Sequence, residues 1–405
     1  MKQLATVLIL GGASHTQGEF CIEQAHKRGL RVFLTDKEEH LNDFKSIGNV
    51  YKTAILDYEN PNLCVEWALA HKDENFIGIF GFREYSTLAV AKVAEALGLP
   101  GNPPEVVELI RNKYECRKFL KNQGFPQPKI RLCNSWEQAK EFAHHTKESC
   151  IVKPVSAMGS LGVTKIKKNS DWDKAAENLK DFKDEFIIET FIVGKEYSVE
   201  GIFVNKEPHV LVITEKSTFG NGSFVESGHV VPAFLNERQE EKIRTDISLA
   251  LSKIGLKHGV FHVECWLNDD TVTIGEVHIR PGGDYIHHMV ELVTEKDLYG
   301  SVFDQFIGES VNIKDFTIKK GAAIAFIVPP VGKITNISNI KEAQSHPKCR
   351  IAHINKKIGD STTSLLSSYD RTGFVLVSDE NNIKARDTAK ELVSLIKIEV
   401  ETSGK

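Results

Sequence analysis

The chain of 405 residues lacks the marks of several large protein classes. It has no C-x-x-C pair, and its seven cysteines (Cys21, Cys64, Cys116, Cys133, Cys150, Cys265 and Cys349) are scattered and odd in number. That argues against a disulfide framework and against a zinc site, and makes a reducing cytoplasm the expected compartment. Long apolar runs are missing as well. MKQLATVLILGG is too short to span a bilayer and carries no cleavage pattern, so it reads as a buried first strand, and no membrane partner is expected. Charge of one sign does not dominate: the formal net charge is -4, lysines and arginines are dispersed, and no RNA-binding aromatic motif occurs. A nucleic-acid binder would show a basic stripe, so none is expected as a partner. Internal repeats and low-complexity segments are also lacking.

What is present is a change of style along the chain. A chain this long holds roughly two to four cores. TVLILGG, LRVFLTD and FIGIFGF read as strands, with helices over QGEFCIEQAHKRG and YSTLAVAKVAEALG between and after them. Such alternation predicts a parallel, doubly wound sheet with ligands at the strand ends. LPGNPPEVV reads as a loop and a boundary, and NKYECRKFLKNQG as a helix with Lys113 in its first turn. Beyond it SCIVKPV, GVTKI, EFIIETFI, EYSVEGIFV, HVLVITEK, GVFHVECWL and VTIGEVHI are strands with few helices between them, which predicts an antiparallel sheet. From about Lys319 come strands AAIAFIVP and TGFVLVSD and a final helix ARDTAKELVSLIKIEV.

Several segments carry chemistry, each with a bland alternative beside it. GGASHTQG follows a strand, but its spacing is not G-x-G-x-x-G, so a tight turn competes with a dinucleotide loop despite Asp36 on the next strand. IVKPVSAMGSLGV, with Lys153, Ser156, Gly159, Ser160 and Gly162, is not a P-loop. It suits either a phosphate-covering hairpin or a plain glycine hairpin. Glu189 ends one strand and Glu196 opens the next; either the linker backbone meets an adenine edge and Glu196 takes ribose hydroxyls, or both are exposed strand-end acids. Glu226 and His229 lie in VESGHVVPA, read as a loop. Glu264 sits within an apolar strand, and the turn NDDT places it beside Glu276 on the next. Like charges on neighbouring strands need a cation between them, either a divalent metal or a neighbouring Lys or Arg such as Arg280. In TIGEVHIRPGGD, period two puts Glu276, His278 and Arg280 on one face.

Taken in order, Lys113, K-P-x-x-x-x-G-S-x-G, E-x-x-x-x-G-K-E, the Glu264/Glu276 pair and E-x-x-x-R-P-G-G-D resemble the ATP-grasp superfamily. ESGHVVPA and RPGGD are similar to the bacterial L-amino acid ligases, the dipeptide synthetases related to bacilysin synthetase. The resemblance implies an α/β and α+β chain: a Rossmann-like leader domain over 1–112, a small ATP-grasp lobe with the glycine flap over 113–185, a core with the metal site over 186–310, and a C-terminal α+β subdomain over 311–405. It implies ATP held by Lys113 and Lys153, covered by Ser156 to Gly162, with Glu189, Phe191 and Ile192 at adenine and Glu196 at ribose. It implies two Mg2+ ions on Glu264 and Glu276, with Mn2+ an admissible substitute. Relatives have asparagine where this chain has His278, whose place in the metal site is therefore an open question. Glu84, Glu226, His229, Arg280 and Gly283 would meet the substrates. The expected function is an ATP-dependent ligase forming an α-dipeptide through an acyl phosphate, with small amino-acid substrates as partners and a homodimer compatible. The alternatives are a ligase for another carboxylate, a non-catalytic ATP binder and an NAD-dependent oxidoreductase.

Overall fold

The computed structural model describes residues 5–156, 159, 161–182, 185–220 and 223–401. The leader holds strands β1 (Thr6–Leu10), β2 (Arg31–Asp36), β3 (Lys52–Ile55) and β4 (Phe76–Phe80), parallel in the order β3-β2-β1-β4. As the alternation predicts, helices Gly18–Lys27, Pro61–Ala70 and Thr87–Leu97 connect or follow these strands. The boundary segment differs from expectation. Pro104–Arg111 is a helix, because prolines at its start give up an N–H that a first turn does not use.

Next comes a small antiparallel sheet of β5 (Ile130–Cys133), β6 (Cys150–Pro154), β7 (Thr164–Ile166) and β8 (Phe186–Thr190), ordered β5-β8-β6-β7. The glycine segment is therefore the connection of the β6–β7 hairpin. By its pairing β8 belongs to this small lobe.

The core sheet has eight strands. β9 (Lys195–Val204), β10 (Glu207–Gly220), β11 (Ser223–Val231), β12 (Val260–Asn268) and β13 (Thr271–His278) come first, then β14 (Gly321–Ile327). β15 (Gly332–Ser338) leaves to pair with β17 (Ser361–Thr362) and β19 (Lys397–Glu401) in a small fourth sheet, while β16 (Cys349–Ile354) and β18 (Gly373–Asp379) extend the core. The order β13-β12-β9-β10-β11-β14-β18-β16 makes the C-terminal region continuous with the core through β11–β14 pairing. Two expectations are corrected here. Glu226 and His229 lie on strand β11, not in a loop. The final helix stops at Leu395, since KIEVE alternates and pairs with β15 as β19.

Period two sorts the core strands. On β9 Tyr197 and Val199, and on β12 Phe261, Val263 and Cys265, pack against Ile243, Ile247 and Leu251 of the helix Glu237–Ile254. Their alternates Glu196, Ser198, Glu200, His262 and Glu264 therefore occupy the opposite face. β13 breaks the period once. Val272 and Ile274 enter the same apolar core as Val277, which requires one switch of parity between them. The pairing shifts at that point: Cys265 faces Ile274, Glu264 faces Glu276, and Gly275 is the extra residue of a bulge. The bulge turns Glu276 out of the core and onto the polar face. A Cβ on Gly275 would stand 2.3 Å from the Trp266 ring. Gly275→Ala is expected to lower stability by about 1–3 kcal/mol through overpacking, measured by urea unfolding.

Candidate functional site

The polar face of β9, β12 and β13 forms one wall of an open cavity of about 540 Å³, and the small lobe forms the other, with Lys153, Gly159 and Phe191 facing Glu196, Glu264 and Glu276. That volume suits a nucleotide-sized ligand. Register fixes the acids: Glu264 is directly opposite Glu276, and Ser198 flanks Glu264 on its other side.

Burial works against charge here, and lysines overcome it. Lys216 on β10 lies 2.8 Å from Glu264, 2.5 Å from Glu196 and 3.5 Å from Glu226. Desolvation opposes its charge, but the three acids hold its pKa well above the usual lysine value. Glu264, in turn, is kept well below the carboxylate range despite burial, by Lys216 and by His262. Glu196 goes the other way: burial and its acidic neighbours lift it even with Lys216 in contact. Glu276 is held low against burial by Lys113, whose Nζ donates to it at 2.9 Å. Beneath this row His262 Nδ1 stands 3.0 Å from Glu200, and its pKa, lowered by burial but raised more by Glu200, reaches about 9.

Among the described residues no group of three or more His, Cys, Asp and Glu side chains is arranged to hold a metal ion. A divalent ion bound through nucleotide phosphates does not need one, since Mg2+ commonly uses one or two carboxylates plus phosphate oxygens. Glu264 and Glu276, opposed and open to one cavity, fit that donor set. His278 is occupied differently. Its Nδ1 lies 2.7 Å from Glu84, which leaves Nε2 3.5 Å from Glu276, where it buttresses that acid.

Glu84 opens a short helical turn after β4 and reaches across to the core, where Arg280 Nε also donates to it at 2.8 Å. Burial would raise its pKa, yet His278 and Arg280 hold it far below the carboxylate range. Arg280 lines the large cavity with the paired acids. Gly283 has open space where a side chain would stand, whereas a Cβ on Gly282 would meet Ile286 at 2.9 Å and His262 at 3.0 Å.

In the small lobe Lys153 is paired with Glu189 at 2.8 Å, and burial lowers its pKa. Glu189, Phe191 and Ile192 line the cavity together. Glu189 is also gripped by the buried Arg117 at 2.6 Å, so it holds the lobe together as well as lining it. Ser156 lines a narrower recess with Glu84, Lys113, Glu276 and His278. Gly162 turns the hairpin at φ +76, a conformation that favours glycine. Ser160 lies outside the described residues.

Sequence reasoning missed Lys216 and Arg117. Arg117 follows Lys113 by four on one helix, a spacing that puts both on one face and was readable. Lys216 carried no such signal, because its partners come from β9, β11 and β12. Glu226 lines the cavity. His229 is buried beside Asp284, with Nε2 3.0 Å from that carboxylate, so its observed partner is this chain's own acid.

In the leader, Asp36 is fully buried and closes the first turn, accepting from the Ala13 and Lys37 amides at 2.8 Å each and contacting His40 at 2.7 Å. Arg83 donates to the Gly11 and Ala13 carbonyls over the same turn. The carboxylate that a dinucleotide site would turn to ribose is spent inside the protein. No helix among the described residues is long and apolar enough to cross a membrane.

These lobes match known domain families. Residues 146–287 match the ATP-grasp domain and 22–101 the ATP-grasp N-terminal domain. The chain carries the ATP-grasp N-terminal and ATP-grasp domains and has the ATP-grasp fold. Residues 325–401 match the L-amino acid ligase C-terminal domain 2. An uncharacterised protein of Sinorhizobium fredii is 24% identical over 382 residues, 92% of this chain and 79% of that one. The alanine–anticapsin ligase of Bacillus subtilis is 24% identical over 254 residues, 53% of each chain, so the match spans about half of that relative. The crystal structure of an L-amino acid ligase from Bacillus licheniformis superposes with a TM-score of 0.82 at 21% identity, covering 99% of this chain and 100% of that one. At that identity the likeness establishes the fold.

Lys216 is the cation common to three acids, so removing it leaves buried like charges. Lys216→Met is expected to cost about 3 kcal/mol. One of the acids would then have a raised pKa in the folded state. The folded state thus binds the extra proton, and stability falls as pH rises through that value. Urea midpoints of the variant should fall more than those of the wild type as pH rises from about 4, the unfolded carboxylate value, toward neutrality.

Proposed function

We propose that the chain is an ATP- and Mg2+-dependent ligase that joins the carboxylate of one amino acid to the amino group of another, releasing ADP and phosphate. The observation that carries this reading is Arg280 on the wall of the same cavity as Glu264 and Glu276. A protein that merely held a nucleotide would have no use for a fixed guanidinium beside its phosphate end. The L-amino acid ligase C-terminal domain supports the amino-acid class of substrate.

In this reading ATP lies between the small lobe and the core. Phe191, Ile192 and Glu189 flank adenine, Glu196 takes the ribose, and Lys113 and Lys153 meet phosphate oxygens. Glu264 and Glu276 would hold Mg2+, which when bound neutralises phosphate charge and aligns the terminal phosphoryl group. A carboxylate is a poor electrophile, so the γ-phosphoryl group passes to it and an acyl phosphate forms. Phosphoryl transfer is mainly positioning and charge neutralisation, which the lysines and Arg280 supply. The amine then attacks the acyl carbon, the C–O bond to phosphate breaks, and the amine proton leaves to a base, for which cavity-lining Glu226 is better placed than His229. Arg280 and the open backbone beside Gly283 face the developing oxyanion. The β6–β7 flap keeps water from the acyl phosphate.

The test is a phosphate-release screen of amino-acid pairs with ATP and Mg2+, with product mass determined; no amino-acid-dependent ADP formation from any pair refutes the reading. Glu276→Gln is expected to reduce turnover by at least about a thousandfold, and retained turnover would remove its proposed metal role. Arg280→Ala should keep nucleotide affinity, read by calorimetry, while ligation stops.

A further inference from the structure

Asp284, the last residue of R-P-G-G-D, has no part in the chemistry above, yet it is heavily engaged. It receives Arg371 Nη1 at 2.8 Å and Nη2 at 2.5 Å, and His229 stands on it at 3.0 Å. These two partners hold its pKa low against burial. The Arg371 guanidinium also lies 3.6 Å from the Phe326 ring centroid, and its Nε donates to the Ser368 carbonyl at 2.8 Å. A capping box between Ser367 and Asp370 closes the turn. The turn is therefore fixed from several sides before it touches the site.

From it the Ser368 hydroxyl donates to Glu226 Oε2 at 2.9 Å, and the Ser368 N–H faces the Gly159 carbonyl of the flap at 3.5 Å. Tyr369, 77% exposed, has its ring 3.6 Å from where a Cβ on Gly159 would stand. Lys216, at 3.5 Å from Glu226 Oε1, is too far for a strong hydrogen bond. A neutral hydroxyl on Oε2 orients the carboxylate without cancelling its charge, and Lys216 is bonded more closely to Glu196 and Glu264 than to Oε1.

We propose that the turn Ser367–Arg371 is a strap in which Ser368 positions Glu226 for the amino group of the attacking amino acid and Tyr369 secures the flap at Gly159. The Ser368 half rests on the ligase reading; the Tyr369 half does not. Ser368→Ala is expected to raise KM for the nucleophilic amino acid about tenfold, with kcat and KM for the other substrate within twofold and Ser368→Thr restoring the wild-type value. An unchanged KM, or a loss shared by all parameters and not rescued by threonine, overturns it. Hydrogen exchange of the amides of residues 161–166, with and without Mg2+–ADP, tests Tyr369 without any turnover. Wild type should gain protection on adding nucleotide and Tyr369→Ala should lose most of that gain; equal protection in the two overturns the flap contact. If wild type forms no ADP with any amino-acid pair, the ligase reading and the Ser368 half fall together, while the exchange comparison still decides the strap's hold on the flap.

Discussion

The site depends on keeping several carboxylates charged on one face of a sheet that is otherwise built for burial. Glu196, Glu264 and Glu276 lie on neighbouring strands, and β9 and β12 turn their alternate residues into an apolar core. Facing like charges on paired strands destabilise a sheet, and their burial adds a desolvation cost. Lys216 and Lys113 answer both costs, one from β10 and one from a helix outside the sheet. Glu264 and Glu276 are the two held ionised, by Lys216 and Lys113, and in the proposed ligase that charge would be offered to Mg2+.

The second constraint is placement of three lobes around that row. Glu84 does this for the leader, since a single carboxylate holds both His278 and Arg280 and so ties the end of β4 to the far edge of the core sheet. Arg117 does it for the small lobe, joining the Glu189 carboxylate of β8 to the Ile274 carbonyl of β13. Removing one member of such a buried pair costs more than the pair contributes, because the partner is left uncompensated. These contacts make the relative position of the lobes a property of ionised side chains, close to where charge is handled.

Much of this was legible in the sequence, and the boundary of legibility is physical. Glu264 and Glu276 could be paired on paper because a short turn and a period of two leave little freedom. Their shared face, however, depends on the Gly275 bulge: continuing the period from Ile274 would have buried Glu276. The leader's parallel sheet followed from alternation, yet Asp36 proved to be a turn-closing group, which its position at a strand end does not reveal. Lys216 stayed hidden because its partners lie on three other strands, and strand order is not written in local pattern. Glu226 and His229 looked like loop residues because glycine and serine interrupt their segment, but both pair with β10, and from Gly228 onward the strand pairs with β14 as well.

The C-terminal region shows why strand order matters to chemistry. Read linearly it is an appendage, but β14 pairs with β11 over Gly228–Val231, so the part of the strand carrying His229 is interior to a continuous sheet. A segment laddered on both sides holds its register more firmly than an edge does. The same region returns through Arg371 to Asp284, four residues beyond Arg280. Glu226 and the R-P-G-G-D turn, distant in sequence, are thus linked twice: by His229 on the strand of Glu226 itself, and by Ser368 and Arg371 of the C-terminal region. The two sides of the cavity are not independent, because Lys216 stands between Glu226, which the turn around Ser368 holds, and Glu264, which faces Glu276.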